Sequence, residues 1–127
     1  MSQQTIRILL VDDHDMVRIG LRTLLNQSPE IEVIGEANSV STAIQATQRL
    51  HPDIVLMDIL LPDGKGYEAC RTIKSQSKEI KVIMLTAVAN REFVSESLQA
   101  EADGFILKEI SSEKLISSIK QVAKGVT

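Results

Sequence analysis

Cysteine is all but absent: Cys70 is the only one, which excludes an internal disulfide and any thiolate metal site. Its expected role is that of a small, half-buried helix residue. Aromatic residues are also scarce, at 2% with no tryptophan, too few for a base-stacking surface or a broad cofactor pocket. An excess of one charge is lacking too. The formal net charge is −3, and Lys and Arg are scattered rather than gathered into the basic stripe of nucleic-acid binders. No direct contact with nucleic acid is expected from this chain. No apolar run approaches the length of a membrane span, and the one near the start is too short for a signal-peptide core. The expected setting is cytoplasmic, away from membranes.

What is present is a pattern. The 127 residues, 43% of them hydrophobic, suit one domain with one core, 1–127, without linker, repeat or low-complexity tract. Short continuous apolar runs at Ile6 to Val11, Ile31 to Ile34, Ile54 to Met57, Val82 to Leu85 and Phe105 to Leu107 predict five strands buried on both faces. Five segments with helical periodicity alternate with them: Met16 to Gln27, Ser41 to Leu50, Tyr67 to Ser75, Arg91 to Ala100 and Ser112 to Lys124. Glycines and prolines punctuate the boundaries. A (βα)5 order with short connections implies a doubly wound parallel α/β sheet with right-handed crossovers, and the flavodoxin-like strand order 2-1-3-4-5 is expected.

Ligands of such sheets bind at the carboxyl ends of the strands, near the topological switch point. Here those ends are polar: Asp12 and Asp13 after the first run, Asp58 after the third, Thr86 closing the fourth and Lys108 after the fifth. Three carboxylates that close repel one another unless a cation sits among them. All-oxygen ligation suits Mg²⁺, with Mn²⁺ able to substitute. A carboxylate beside such an ion can attack phosphorus to give an aspartyl phosphate, and Asp58 is placed for that. Lys108 and the Thr86 hydroxyl are then positioned to contact phosphoryl oxygens.

The segments LLVDDH (Leu9 to His14), DIVLMDILLPDGKG (Asp53 to Gly66), VIMLTA (Val82 to Ala87) and ADGFILK (Ala102 to Lys108) resemble the receiver domains of bacterial two-component response regulators. The wording DDHDMVRIGLRTLL and ADGFILKEIS is most similar to the NarL/FixJ (LuxR-type) subfamily. The resemblance implies that Asp58 is the phosphoacceptor and that Asp12 and Asp13 bind Mg²⁺ together with the Leu60 main-chain carbonyl. It also implies that Thr86 and Lys108 contact the phosphoryl group, and that Thr86 and Phe105 form the conformational switch. A histidine kinase or phosphotransfer protein is the implied donor, a homodimer the implied product of phosphorylation, and transcription the implied output. The chain is expected to promote its own phosphorylation and autodephosphorylation without being a turnover enzyme. Ending at AKGVT, it is expected to be an excised or stand-alone receiver without an output domain.

Ordinary readings stand beside these. Strand-end Asp and Thr residues often only cap the next helix, as Asp13 or Asp15 could here. Asp53 reads as a solvated turn residue, His14 as peripheral because imidazole is poorly matched to Mg²⁺, and His51 as loop surface. Val94, Leu98 and Ile116 read as core. A haloacid-dehalogenase-type phosphatase would want an acid at the position of Leu60. A flavodoxin-like FMN binder would not place Asp12 and Asp13 where its phosphate sits. A phosphorylation-independent pseudo-receiver, the remaining alternative, would be expected to lack one of the acids, the Thr or the Lys.

Overall fold

The computed structural model describes residues 5–125, so both ends of the expected 1–127 domain lie outside it. The alternating pattern becomes β1 (Ile6–Val11), α1 (Asp15–Asn26), β2 (Ile31–Ala37), α2 (Val40–Leu50), β3 (Ile54–Met57), α3 (Gly66–Gln76), β4 (Lys81–Thr86), α4 (Arg91–Gln99), β5 (Gly104–Leu107) and α5 (Ser112–Ala123). All neighbouring strands are parallel, in the order β2-β1-β3-β4-β5. The expected flavodoxin-like topology is therefore the observed one.

Strand periodicity divides the core between two faces. Leu9, Val11, Val55, Met57, Val82 and Met84 pack on one side with Ala43, Cys70, Ile73 and Phe93, under α2, α3 and α4. Ile8, Leu10, Ile54, Leu56, Ile83 and Leu85 pack on the other with Leu25, Leu115, Ile119 and Val122, under α1 and α5. Each fully buried Leu or Ile contributes about 1.5–3 kcal/mol of transfer free energy. A continuous apolar run is what a strand needs when helices cover both its sides.

Three local expectations are corrected, and one short element is added. The second strand does not stop at Ile34 but continues through Gly35 to Ala37, with an irregularity opposite the Ile8/Leu9 step. Glycine suits that place because a Cβ there would stand 2.6 Å from Leu50 Cδ1. Cys70 is fully buried rather than half-buried, since α3 turns it onto the sheet. Val94 and Leu98 are not core: α4 turns Phe93 and Ser97 inward, leaving Val94 37% and Leu98 69% exposed. Finally, the segment after Asp58 forms a two-residue antiparallel ladder, Leu60–Leu61 with Gly64–Lys65, too short to leave a periodic signature.

At the opposite edge from the strand carboxyl ends, Asp53 does more than turn the chain. Its Oδ2 accepts the Arg7 amide at 2.8 Å, while the Arg7 guanidinium donates to the His51 and Leu50 carbonyls. The start of β1 is thereby pinned to the α2–β3 connection.

Candidate functional site

Strand order reverses between β1 and β3, and the register Val11↔Met57 brings the residues that follow, Asp12 and Asp58, side by side. Backbone bonds extend the ladder through them: the Asp58 amide donates to the Val11 carbonyl at 2.8 Å, and the Asp12 amide to Ala37 at 3.1 Å. Both carboxylates are nearly withdrawn from water, with side chains 3% and 5% exposed. Lys108 arrives from the end of β5, its amide bonded to the Thr86 carbonyl. Its Nζ lies 2.6 Å from Asp12 Oδ2 and 3.0 Å from Asp58 Oδ2.

The electrostatics of this trio are asymmetric. Burial pushes the Asp12 carboxyl up, but the hydrogen bonds from Lys108 and His14 and the Lys108 charge outweigh it, so Asp12 is held below the usual range. Burial pushes Asp58 up and prevails with help from the Asp12 charge, despite the opposing hydrogen bond and charge of Lys108. For Lys108, burial pulls the ammonium down, and the bonds to Asp12 and Asp58 raise it further than burial lowers it. An aspartate shielded from water and kept near a cation is suited to a reaction at its oxygen.

Asp13 lies at the rim, and His14 Nδ1 stands 3.0 Å from Asp12 Oδ1 and 3.2 Å from Asp13 Oδ1. One candidate ligand atom from each of Asp12, Asp13, His14 and Asp58 lies within 4.8 Å of the others. Three carboxylates against one lysine leave an excess of negative charge, and their oxygens are the hard donors that Mg²⁺ prefers. The residues therefore fit a divalent ion.

Thr86 closes β4 fully buried, and its hydroxyl accepts the Val88 amide at 3.3 Å. Among the described residues no hydrogen bond joins it to Asp58. Phe105, opposite Met84 in the β4–β5 ladder, is half-buried against the α3/α4 core. Leu60 and Val88, two residues beyond Asp58 and Thr86, are each 45% exposed.

Neither Asp13 nor Asp15 caps α1. The cap position is His14, without a side-chain cap bond, and it is Asp12 Oδ1 that accepts the His14 amide, at 2.8 Å. Asp15 pairs instead with Arg18.

Three supports were not legible beforehand. Arg18, 15% exposed, donates to the Asp12 carbonyl and to Glu36, tying the acidic loop to the end of β2. Asp63 accepts the Val40 and Ser41 amides at the start of α2, which fastens the segment after Asp58 to that helix. Gly66 runs against the Asp58 backbone, where a Cβ would sit 2.1 Å from the Asp58 carbonyl oxygen. Of these, only the Asp63-Gly64 pair carried a signal, that of a turn.

Residues 8–120 match the family model described as the response regulator receiver domain. The chain belongs to that family. This receiver is 40% identical over 121 residues to the response regulator protein VraR of Staphylococcus aureus, covering 95% of the chain and 58% of VraR. It is 37% identical over 120 residues to the DNA-binding transcriptional activator DevR/DosR of Mycobacterium tuberculosis, covering 94% and 55%. The receiver thus spans little more than half the length of these relatives. Among solved structures, a LuxR-family response regulator from Aurantimonas superposes with a TM-score of 0.92 at 32% identity, covering 97% of this chain and 88% of that one. The signal receiver domain of the putative response regulator NarL from Mycobacterium tuberculosis gives 0.92 at 27%, covering 97% and 99%. These relatives make it a NarL/FixJ-type receiver, the input module of two-component signalling.

Proposed function

We propose that this receiver is a phosphoacceptor switch in which Asp58 takes a phosphoryl group from a histidine kinase or phosphotransfer protein, with Mg²⁺ held by Asp12, Asp13, Asp58 and the Leu60 main-chain carbonyl. The observation that carries this reading is the Asp58 carboxylate itself, buried at the switch point, 3.0 Å from Lys108 and beside two further aspartates. Family membership supports it. Bound there, Mg²⁺ supplies charge neutralisation for the transferring phosphoryl oxygens.

The chain's own residues do the rest. An Asp58 carboxylate oxygen attacks phosphorus, forming the O–P bond as the N–P bond of a donor phosphohistidine breaks, and its leaving imidazole nitrogen keeps the electron pair. Lys108 turns from Asp58 Oδ2 to a phosphoryl oxygen and keeps Asp12 as its anchor. The Thr86 hydroxyl, freed from Val88, donates to another. Phe105 follows the space Thr86 vacates, which links the site to the β4–β5 edge. Hydrolysis of the acyl phosphate resets the switch, so the receiver promotes its own phosphorylation and dephosphorylation without turning over a separate substrate. The output is dimerisation, or control of a DNA-binding domain or partner. The proposed setting is the cytoplasm, in keeping with family membership. Among the described residues no helix is long and apolar enough to cross a membrane.

Intact mass after incubation with acetyl phosphate tests this. The expected result is one added phosphoryl group, about 80 Da, that needs Mg²⁺ and is lost with chelator or in Asp58→Ala. No gain in the wild type overturns the assignment and favours a phosphorylation-independent interaction module; an equal gain in Asp58→Ala overturns Asp58 as the acceptor.

A further inference from the structure

His14 is the member of the acidic cluster that phosphoryl transfer to Asp58 leaves unused. Its side chain is 64% exposed, yet Nδ1 points inward, 3.0 Å from Asp12 Oδ1 and 3.2 Å from Asp13 Oδ1. A ring nitrogen carries at most one proton, so it cannot give both carboxylates a full hydrogen bond. The spacing does match another arrangement. Donor atoms bound at about 2.1 Å on neighbouring vertices of an octahedron stand about 3.0 Å apart, as these do. With the ring proton on Nε2, Nδ1 presents its lone pair to the space the carboxylates share. Three of the four candidate donors within 4.8 Å are hard oxygens and the fourth is an imidazole nitrogen. Mg²⁺ gains little from that nitrogen, whereas Co²⁺, Ni²⁺ and Zn²⁺ gain much.

We propose that His14 is a ligand for borderline transition ions, so that the site takes Co²⁺, Ni²⁺ or Zn²⁺ through the aspartate oxygens plus His14 Nδ1 and Mg²⁺ through oxygens alone. This rests on the metal site assigned above and deepens it. Exposure of the ring leaves a path for entry, and the absence of a side-chain cap bond from His14 means its removal costs α1 no such bond.

Co²⁺ is the probe. Proton NMR of the Co²⁺-loaded chain is expected to show a hyperfine-shifted exchangeable imidazole N–H resonance. The only other histidine, His51, sits at the carboxyl end of α2, beyond the opposite sheet edge, so the signal reports ring 14. It should vanish in His14→Ala and in His14→Gln, the latter keeping a polar side chain at the cap position. By calorimetry both variants should bind Co²⁺ about tenfold more weakly and Mg²⁺ within about twofold of wild type. No shifted ring proton in the wild type, or an equal loss for both ions, overturns the proposal. Failure of the Asp58 reading would look different: Co²⁺ binding through His14 would persist while the Mg²⁺ and acetyl phosphate experiment added no mass.

Discussion

Removing the Lys108 ammonium while keeping its aliphatic bulk, as in Lys108→Met, probes the electrostatic centre of the site most directly. The side chain is only 20% exposed and bridges two carboxylates that are 3% and 5% exposed, so its loss leaves buried charge without a partner. Breaking a buried pair on one side costs about 3–5 kcal/mol, and with some solvent reaching Lys108 the lower figure applies, about 3 kcal/mol or roughly 10 °C in Tm. The deficit depends on pH in a defined direction. Burial already holds the Asp58 carboxyl above its usual range, and losing the opposing Lys108 bond and charge raises it further above the unfolded 3.8. Between those values the folded state binds more protons than the unfolded one, so the stability of the variant falls as pH rises through that window. The deficit therefore grows as pH rises through that window and shrinks toward pH 3.8. Mg²⁺ should raise the Tm of the variant more than that of the wild type, because it meets repulsion that no lysine has relieved. Urea unfolding in chelator and in Mg²⁺, across pH, measures all of this. Equal stability of wild type and Lys108→Met at pH 7 in chelator would refute the reasoning.

Two further outcomes follow from the core around the site. Gly66→Ala would place a methyl 2.1 Å from the Asp58 carbonyl oxygen and 2.9 Å from Met57 Cγ and Met84 Cε. Backbone cannot yield as a side-chain end does, so a loss of about 3 kcal/mol is expected in urea unfolding, and an unchanged midpoint would count against the close approach. Cys70, fully buried with its thiol pushed up to about 12 by burial, should resist a disulfide reagent in the native protein. Its modification should track global unfolding across a urea series, and prompt labelling without denaturant would contradict its burial.

The strands were legible because β1, β3 and β4 are buried on both faces, and a continuous apolar run is what that burial requires. Their carboxyl ends were legible for the complementary reason: Asp12, Asp58, Thr86 and Lys108 interrupt or close apolar runs where the topology gathers a site. Short-range reasoning failed where a side chain's role is set by distant partners. Periodicity alone could not orient α4, because Val94 and Leu98 lie on a stripe as apolar as the inward Phe93. Nothing near Arg18 announces that it reaches the Asp12 carbonyl and Glu36. Nor does the local sequence show that the Asp63 carboxylate holds α2, a contact made across 23 residues.

The position of β1 between β2 and β3 also governs the order in which the domain can assemble. In synthesis its apolar run is made first, yet its full set of partners is complete only when Ile54 and the residues after it exist, since Ile8 pairs with Ile54. At about 5–20 residues per second, that leaves this strand paired with β2 alone for roughly 1–4 s between the synthesis of Ala37 and that of Met57. During that wait β1 can lean only on β2 and α1. The first βαβ segment is thus a sheltering unit for a strand buried over its last four residues, and the two aspartates that follow it are in place before Asp58 is made.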